Sequence, residues 1–140
     1  MSKIIVPIDG SQHAIRALEY ALDLARAFGD ELILLNVQLN LNTINVKRFF
    51  SKQEIEEFQQ QLGEEDLEEA IKVATGSELP FTSKIRIGIP KVEICQEAEQ
   101  EQVRCIVMGS RGMGPVVGRF LGSVSYGVVH ESPCPVTIVP

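Results

Sequence analysis

Five short apolar segments recur along the chain, and segments with helical spacing separate them. The five cover residues 3–8, 31–37, 81–87, 104–109 and 135–139. Several are unbroken runs of Ile, Val and Leu, which is typical of strands that are covered on both faces. Residues 81–87 instead alternate and include Lys84 and Arg86. The pattern predicts five strands, with 81–87 at an edge of the sheet.

Helical spacing between these strands predicts the intervening helices. The first has Ser11 as its candidate N-cap and Gly29 as its stop. Its apolar positions are Ala14, Leu18, Ala21, Leu22 and Ala25. A shorter helix follows Pro90, and the last begins near Gly122 and ends before Pro133. This alternation predicts an α/β fold with a parallel sheet, right-handed crossovers and helices on both faces.

The stretch between the second and third strands, residues 38–76, is irregular. It begins with an Asn-rich segment, 39–50, which is either a lid over a ligand or a disordered connection. A long helix over about 51–74 follows, with an apolar stripe broken near Gly63. The stripe consists of Ile55, Phe58, Leu62, Leu67, Ile71 and Ala74. Eight of the 19 acidic residues lie between Glu54 and Glu69. They form either an acidic surface for a partner or, as we favour, the solvated face of an amphipathic helix.

Composition and charge exclude several classes of protein. The chain has 140 residues, 44% hydrophobic and 23% charged, which predicts one domain spanning residues 1–140. Its net charge of −6 argues against a nucleic-acid-binding protein, because phosphate contacts need a basic face. No apolar run approaches the roughly 20 residues of a membrane span, and the first apolar run is too short for a secretory signal. We therefore expect a cytoplasmic protein with no membrane segment.

The three cysteines support the same expectation. Cys95, Cys105 and Cys134 contain no C-x-x-C pair, so neither a disulfide framework nor a zinc site is predicted. Cys95 and Cys105 are expected to be buried and inert. Cys134 lies between two prolines and is expected to be more exposed.

Glycine is concentrated where the fourth predicted strand leads into the last helix. Six of the 11 glycines lie between Gly109 and Gly127. Such a turn lets backbone N–H groups approach an anion, and a following helix N-terminus adds partial positive charge, so phosphate is the expected ligand. The turn is not a Walker P-loop, because no lysine lies between Lys91 and Pro140. It also fails the dinucleotide fingerprint G-x-G-x-x-G.

The spacing that does hold is Gly109-x2-Gly112-x9-Gly122-Ser123. It is accompanied by the segments IIVPIDGS, LILLNV, GIPKVEICQEAEQ and SPCPVTIVP. Over nearly its whole length the chain resembles the universal stress protein family, in particular the ATP-binding branch with the motif G-x2-G-x9-G-[ST]. It departs from the family at Asn36, where a His is usual, and at Arg104, where an acid is usual. Neither position contacts phosphate in that family.

The resemblance implies both a fold and a site. The fold is the Rossmann-like fold of adenine nucleotide alpha hydrolases, a single α/β domain with an open five-stranded parallel sheet in the order 3-2-1-4-5. The turn of Pro7 and Asp9, with Val37 acting through its backbone, would hold adenine and ribose. The phosphates would be lined by Gly109, Arg111, Gly112, Gly122, Ser123 and Ser125. The implied cofactor is ATP with Mg²⁺ or Mn²⁺, the ion being bound mostly by phosphate oxygens and water.

General topology points to the same place. If the first and fourth strands are neighbours, a crevice lies between the turns at Asp9 and Gly109. Some residues have a second interpretation. Asp9 could act only as a charge at a helix N-terminus, and Arg111 and Arg119 could simply be exposed. Residues 88–90 are favoured as a turn and helix start over a ligand contact.

The sequence favours a binding module over an enzyme. It has no G-x-S-x-G elbow and no paired metal ligands, and it lacks the Lys and acid that usually polarise a γ-phosphate. We expect an ATP-binding stress or signalling protein with slow or no hydrolysis and an unidentified protein partner. The alternatives are a slow ATPase or adenylate-handling enzyme, and a structural dimer module with a vestigial pocket. The short apolar strand 135–139 is expected at a sheet edge, through which the family commonly forms homodimers.

Overall fold

A parallel sheet with the strand order β3-β2-β1-β4-β5 forms the centre of the computed structural model, which describes residues 1–112 and 121–140. The strands are β1 (Lys3–Pro7), β2 (Glu31–Gln38), β3 (Phe81–Ile87), β4 (Cys105–Gly109) and β5 (Val136–Val139). The helices are α1 (Gln12–Phe28), α2 (Ile44–Phe49), α3 (Lys52–Gly76), α4 (Pro90–Glu101) and α5 (Ser123–Glu131). The α/β class, the strand order and the edge position of β3 are confirmed.

Apolar side chains on the two faces of the sheet form two core clusters. On one face, Ile4 and Val6 of β1 pack with the buried residues of α1 and α3. On the other, Ile5 packs with residues of α4 and α5 such as Ile94 and Val128. Successive side chains of a strand point to opposite faces, so one unbroken apolar run serves both clusters. In the part of the chain that the structure describes, no helix is long and apolar enough to span a bilayer.

Helix α1 begins and ends where the sequence indicates. The Ser11 hydroxyl accepts a hydrogen bond from the Ala14 N–H at 3.2 Å, as an N-cap does. Gly29 ends the helix in the left-handed conformation, with φ of 72°, and its N–H donates to the Ala25 carbonyl. Both predictions for this helix are confirmed, and they fix the turn that leads from β1 into it.

Helix α3 confirms the predicted long helix, but its buried row continues through Gly63, where the predicted apolar stripe is broken. It runs without interruption from a capping box formed by Ser51 and Glu54. A Cβ at Gly63 would lie 2.6 Å from Cδ1 of Ile85, so glycine allows the helix to pack closely on β3. The buried row also differs from the predicted stripe, and Phe58 is 52% exposed. That row consists of Ile55, Gln59, Gly63, Leu67, Ala70 and Ala74.

The Asn-rich segment contains helix α2, so the interpretation of 39–50 as a disordered connection is wrong. The Thr43 hydroxyl caps this helix by accepting from the Val46 N–H at 3.3 Å. Of the cysteines, Cys105 is buried as predicted, whereas Cys95 is only half-buried, like Cys134. Burial raises the pKa of the Cys95 and Cys105 thiols, which keeps them protonated and unreactive.

Ion pairs rather than apolar contacts join the edge strand β3 to helix α4. Glu97, 2% exposed, accepts from Lys84 and from Arg86, both at 2.7 Å. Arg86 also pairs with Glu93 at 2.9 Å. Hydrogen bonds from Lys3 and Lys84 lower the pKa of Glu101 to about 2. The buried carboxylate of Glu97 is thus paired twice, as a charge in a protein interior must be.

Two glycines of α3 provide a test of this packing. We expect Gly63→Ala to leave the protein less stable than Gly76→Ala by about 1–3 kcal/mol, because only the first methyl group would overlap Ile85. Nothing lies within 4 Å of a Cβ at Gly76, and both changes raise helix propensity, so the comparison isolates the overlap. Urea denaturation of both variants measures the difference. Equal stabilities would contradict the packing described for Gly63.

Candidate functional site

The two central strands separate at their carboxyl ends, and this separation opens a cleft. The register of β1 with β4 ends at Ile5 and Ile106, whereas β1 continues along β2 to Pro7. The Ile8 N–H donates to the Leu35 carbonyl at 2.8 Å, so Ile8 faces β2 and Pro7 faces the side of β4. Proline has no N–H, so Pro7 cannot donate a ladder hydrogen bond toward β4. The strand order reverses between β1 and β4, where α/β sheets bind ligands.

A cleft of about 210 Å³ lies at this position. It brings together all nine residues that the sequence singles out, namely Pro7, Asp9, Val37, Gly109, Arg111, Gly112, Gly122, Ser123 and Ser125. The remaining lining is apolar and was not predicted as part of the site: Ile8, Ala14, Leu35, Pro90, Ile94, Met108 and Val124. None of residues 39–50, all of them described, lines the cleft. Arg119, Gly114 and Gly118 lie outside the described residues.

The Asp9 carboxylate is fixed by the turn that leads into α1. Its Oδ1 accepts from the backbone N–H of Ser11 at 3.0 Å and from the Ser11 hydroxyl at 2.5 Å. A Cβ added to Gly112 would overlap Oδ2, so that oxygen faces the glycine turn across the cleft. Asp9 therefore has one oxygen engaged in the turn and the other directed to the site.

Behind this turn lies a polar cluster that sequence analysis missed. Asn36, 1% exposed, donates from Nδ2 to the Ile8 carbonyl at 2.8 Å and to Asp66 Oδ2 at 3.2 Å. Gln38 Nε2 donates to the same Asp66 oxygen at 3.1 Å and to the side-chain Oδ1 of Asn36 at 2.8 Å. The one signal in the sequence was the departure from His at Asn36. Through Asp66, helix α3 thus supports the backbone immediately before Asp9.

Three glycines let the opposite wall of the cleft approach closely. A Cβ at Gly109 would lie 2.9 Å from Cβ of His13 and 3.0 Å from its carbonyl oxygen, so β4 ends directly against the first turn of α1. A Cβ at Gly122 would lie 3.4 Å from Cα of Arg111. The Gly122 N–H donates to the Ser110 carbonyl at 2.7 Å, which places the start of α5 beside the end of β4. Side chains at these positions, or at Gly112, would fill the space between the two turns.

The first turn of helix α5 lies at the cleft. Its N-cap is Gly122, which has no side chain to cap the helix, and its first turn has no acidic residue. The N–H groups of Ser123, Val124 and Ser125 have no acceptor within the helix, and all three residues line the cleft. The buried Ser125 hydroxyl donates to the Gly109 carbonyl at 2.8 Å and ties the helix to the turn. Such an N-terminus is an anion site.

The opposite end of the cleft is apolar, with one pair of backbone groups. Because the backbone groups of Leu35 face β1 and direction alternates along a strand, the N–H and C=O of Val37 face that side too. At Val37, β1 has already ended. Pro90, the first residue of α4, and Ile94 contribute apolar surface. The helix start predicted at 88–90 is confirmed. A flat heterocycle with one donor and one acceptor edge suits this end.

Positive charge lies beyond the glycine turn. The Arg16 guanidinium donates to Nδ1 of His13 at 2.6 Å. Desolvation lowers the pKa of His13, and the charges of Arg16 and Arg111 lower it further, so the ring is neutral at pH 7.

Among the described residues, no cluster of three or more His, Cys, Asp or Glu side chains could hold a metal ion. A cation at this cleft would therefore depend on ligand oxygens.

Comparisons with known proteins show the family of this chain. The model of the universal stress protein family matches residues 1–140. Universal stress protein MJ0577 of Methanocaldococcus jannaschii is 32% identical over 152 residues, an alignment covering 98% of this chain and 93% of that one. Its solved structure superimposes with a TM-score of 0.84 at 30% identity, covering 99% of this chain and 94% of that chain.

Two solved universal stress proteins with bound nucleotides share the fold at lower identity. One, in complex with cAMP, has a TM-score of 0.75 at 22% identity and covers 99% of this chain and 97% of its own. The other, from Arabidopsis thaliana with AMP bound, has a TM-score of 0.70 at 24% identity and covers 99% and 91%.

The support that Asn36 gives the Asp9 turn can be tested by substitution. We expect Asn36→Leu to lower the free energy of unfolding by about 2 kcal/mol, because the Ile8 carbonyl and Asp66 each lose a buried donor. Gln12→Leu, which removes an exposed bond to Glu69, is the control and should change it by less than about 0.5 kcal/mol. Chemical denaturation measures both. Equal effects of the two substitutions would show that Asn36 does not support the turn.

Proposed function

Because the chain belongs to the universal stress protein family, we propose that it binds an adenine nucleotide, ATP in the first instance, in the cleft between β1 and β4. The observation that carries the proposal is the pair Gly112 and Gly122 beside the uncapped start of α5. These glycines leave free the space that side chains would fill, and N–H donors face that space. Their spacing matches the motif of the ATP-binding branch.

The base and the ribose would occupy the end of the cleft near β2. The adenine ring would lie among Pro7, Ile94 and Val37, where the Val37 N–H and C=O face its hydrogen-bonding edge. The Asp9 carboxylate, with Oδ1 held by Ser11, would accept from the ribose hydroxyls through Oδ2. A carboxylate already oriented by its own turn loses little entropy when it binds.

The phosphates would lie against the glycine turn and the start of α5. Gly109, Gly112 and Gly122 would let the backbone approach, and Ser123 would donate through its N–H and hydroxyl. Ser125 and Arg111 complete the lining. Mg²⁺ or Mn²⁺ would be held mainly by phosphate oxygens and water, because the described residues form no metal cluster of their own.

We propose a binding module rather than an efficient enzyme. A triphosphate in this cleft would meet no lysine from its glycine turn, since none lies between Lys91 and Pro140. The lysine that supports fast phosphoryl transfer in P-loop NTPases and kinases is therefore missing from this turn, where Arg111 lines the cleft instead. The nucleotide would instead act as a state signal in a cytoplasmic stress response, read by a protein partner. The AMP and cAMP bound to two relatives support an adenine ligand.

The nucleotide proposal is tested by what the purified protein carries. We expect mass spectrometry of freshly denatured protein to identify ATP, and calorimetry to show that Gly122→Val weakens ATP binding at least about 100-fold. The valine methyl groups would extend from a Cβ that is already 3.4 Å from Arg111 Cα and would fill the phosphate position.

The control for this experiment is Gly76→Val, in α3, where nothing lies within 4 Å of a Cβ. It should bind ATP as the unmodified protein does. Release of AMP or cAMP instead would redefine the ligand while keeping the site. Absence of any adenine nucleotide, with no binding on titration, would contradict the proposal and favour a structural module.

We also propose a homodimer through the free edge of β5. The Pro135 carbonyl accepts from the Ile106 N–H and the Val139 carbonyl accepts from the Ser110 N–H, both at 3.0 Å, so these residues face β4. By alternation, the backbone groups of Val136 and Ile138 face away from β4, at the edge of the sheet. An apolar edge of this kind is a template for pairing with a second copy.

This edge is tested with two substitutions at one position. We expect Ile138→Pro to yield a monomer, because proline removes the outward N–H, whereas Ile138→Ala, which keeps that donor, should still dimerise. Sedimentation equilibrium at micromolar concentration measures the mass of each. A monomeric unmodified protein would contradict the dimer, and a dimeric Ile138→Pro variant would place its interface elsewhere.

A further inference from the structure

A second cleft, of about 520 Å³, lies between α2 and the first half of α3. We propose that it is a docking groove for an amphipathic helix of another protein, with the apolar face of that helix in the groove and its basic residues against α3. The groove is lined by Leu41, Val46, Phe50, Glu54, Ile55, Glu57, Phe58 and Gln61. None of these residues lines the first cleft, so the inference stands whether or not a nucleotide binds there.

Several large apolar side chains on or beside α2 and α3 are exposed instead of packed in the core, and two of them, Phe50 and Phe58, line the groove. Ile44 is 80% exposed and Phe49 is 78% exposed, while Phe50 and Phe58 are each more than half exposed. Helix geometry explains the exposure of Phe58. The buried row of α3 passes through Ile55 and Gln59, and Phe58, one position before Gln59, is rotated by about 100° from it. A concentration of exposed apolar surface is typical of an interaction site.

The negative charge of α3 indicates that the partner helix has a basic flank. From Gln53 to Ile71 the helix has eight acidic residues and no basic one, and Glu54 and Glu57 belong to the groove itself. Helix α2 instead carries Lys47 and Arg48 and no acid. The two walls therefore differ in sign, which would orient a partner with its basic flank on α3. A second copy of this chain is disfavoured because its α2 and α3 together carry eight acidic residues and only four basic ones, so the two surfaces would repel each other overall.

A helix is the ligand geometry that suits two helical walls with apolar residues between them. An amphipathic helix presents apolar residues at positions i, i+3, i+4 and i+7, and such a row fits a groove of this kind. Helix α3 is also tied to the chain just after β2, because Nε2 of the buried Gln59 donates to the carbonyl of Leu39, the residue that follows this strand, at 2.8 Å. This bond fixes the start of the segment that forms the α2 wall.

The test uses a fluorescein-labelled peptide of about 15 residues, built from leucine and lysine with leucines at helical spacing. In fluorescence anisotropy with the full chain, we expect saturable micromolar binding. Phe58→Ser and Glu57→Lys should each weaken it at least about tenfold. The matched controls should change it less than about twofold. These are Phe28→Ser, where Phe28 is also 52% exposed, and Glu19→Lys, where Glu19 is an exposed acid of α1 that does not line the groove.

Four outcomes would overturn the proposal. One is the absence of binding, and another is equal binding of a peptide with the same composition but alternating leucines. The third is self-association that is lost in Phe58→Ser on sedimentation, which would assign the groove to a second copy. The fourth is a folded Phe58→Ser protein that still binds the peptide fully. Thermal unfolding shows whether each variant is folded, so that lost binding can be assigned to the groove.

Discussion

Pro7 has no amide hydrogen, and it lies on the side of β1 that faces β4. The strand keeps its ladder with β2 to Pro7, but it has no donor to offer β4 at that position, and its pairing with β4 ends at Ile5. Because β4 continues along β5 to Gly109, the two central strands separate where the strand order reverses. The position of the first cleft, the direction of the Asp9 turn and the access to the start of α5 all follow from that separation.

The negative net charge of the chain does not prevent an anion from binding in the first cleft, because the electrostatic potential there is set by nearby groups. The N–H groups at the start of α5 act within a few ångströms, and exposed charges further away than about 8–10 Å are screened by salt. Most acids of the long helix are exposed, whereas Glu97 and Asp30 are buried and paired with cations. The protein thus separates its negative surface from the donors that face the cleft.

The sequence predicted the elements whose local chemistry is self-contained. Caps, stops and apolar periodicity placed α1, and glycine spacing placed the turn before α5, because each depends on neighbours along the chain. It could not predict the cluster of Asn36 and Asp66, since 30 residues separate these partners. The continuation of the buried row of α3 through Gly63 was missed for the same reason. Gly63 weakens a helix locally, but its contact with Ile85 of a different strand compensates.

The two edges of the sheet differ in chemistry, and this difference sets a limit on assembly. Residues Lys84 and Arg86 of β3 are engaged with the carboxylates of α4, so that edge carries charge that discourages addition of another strand. The strand at the other edge, β5, is apolar and has no charged residue. If two copies joined their sheets through β5, the two outer edges of the combined sheet would both be the charged strand β3. Growth would then stop after one pairing, giving a finite particle instead of an open-ended fibre.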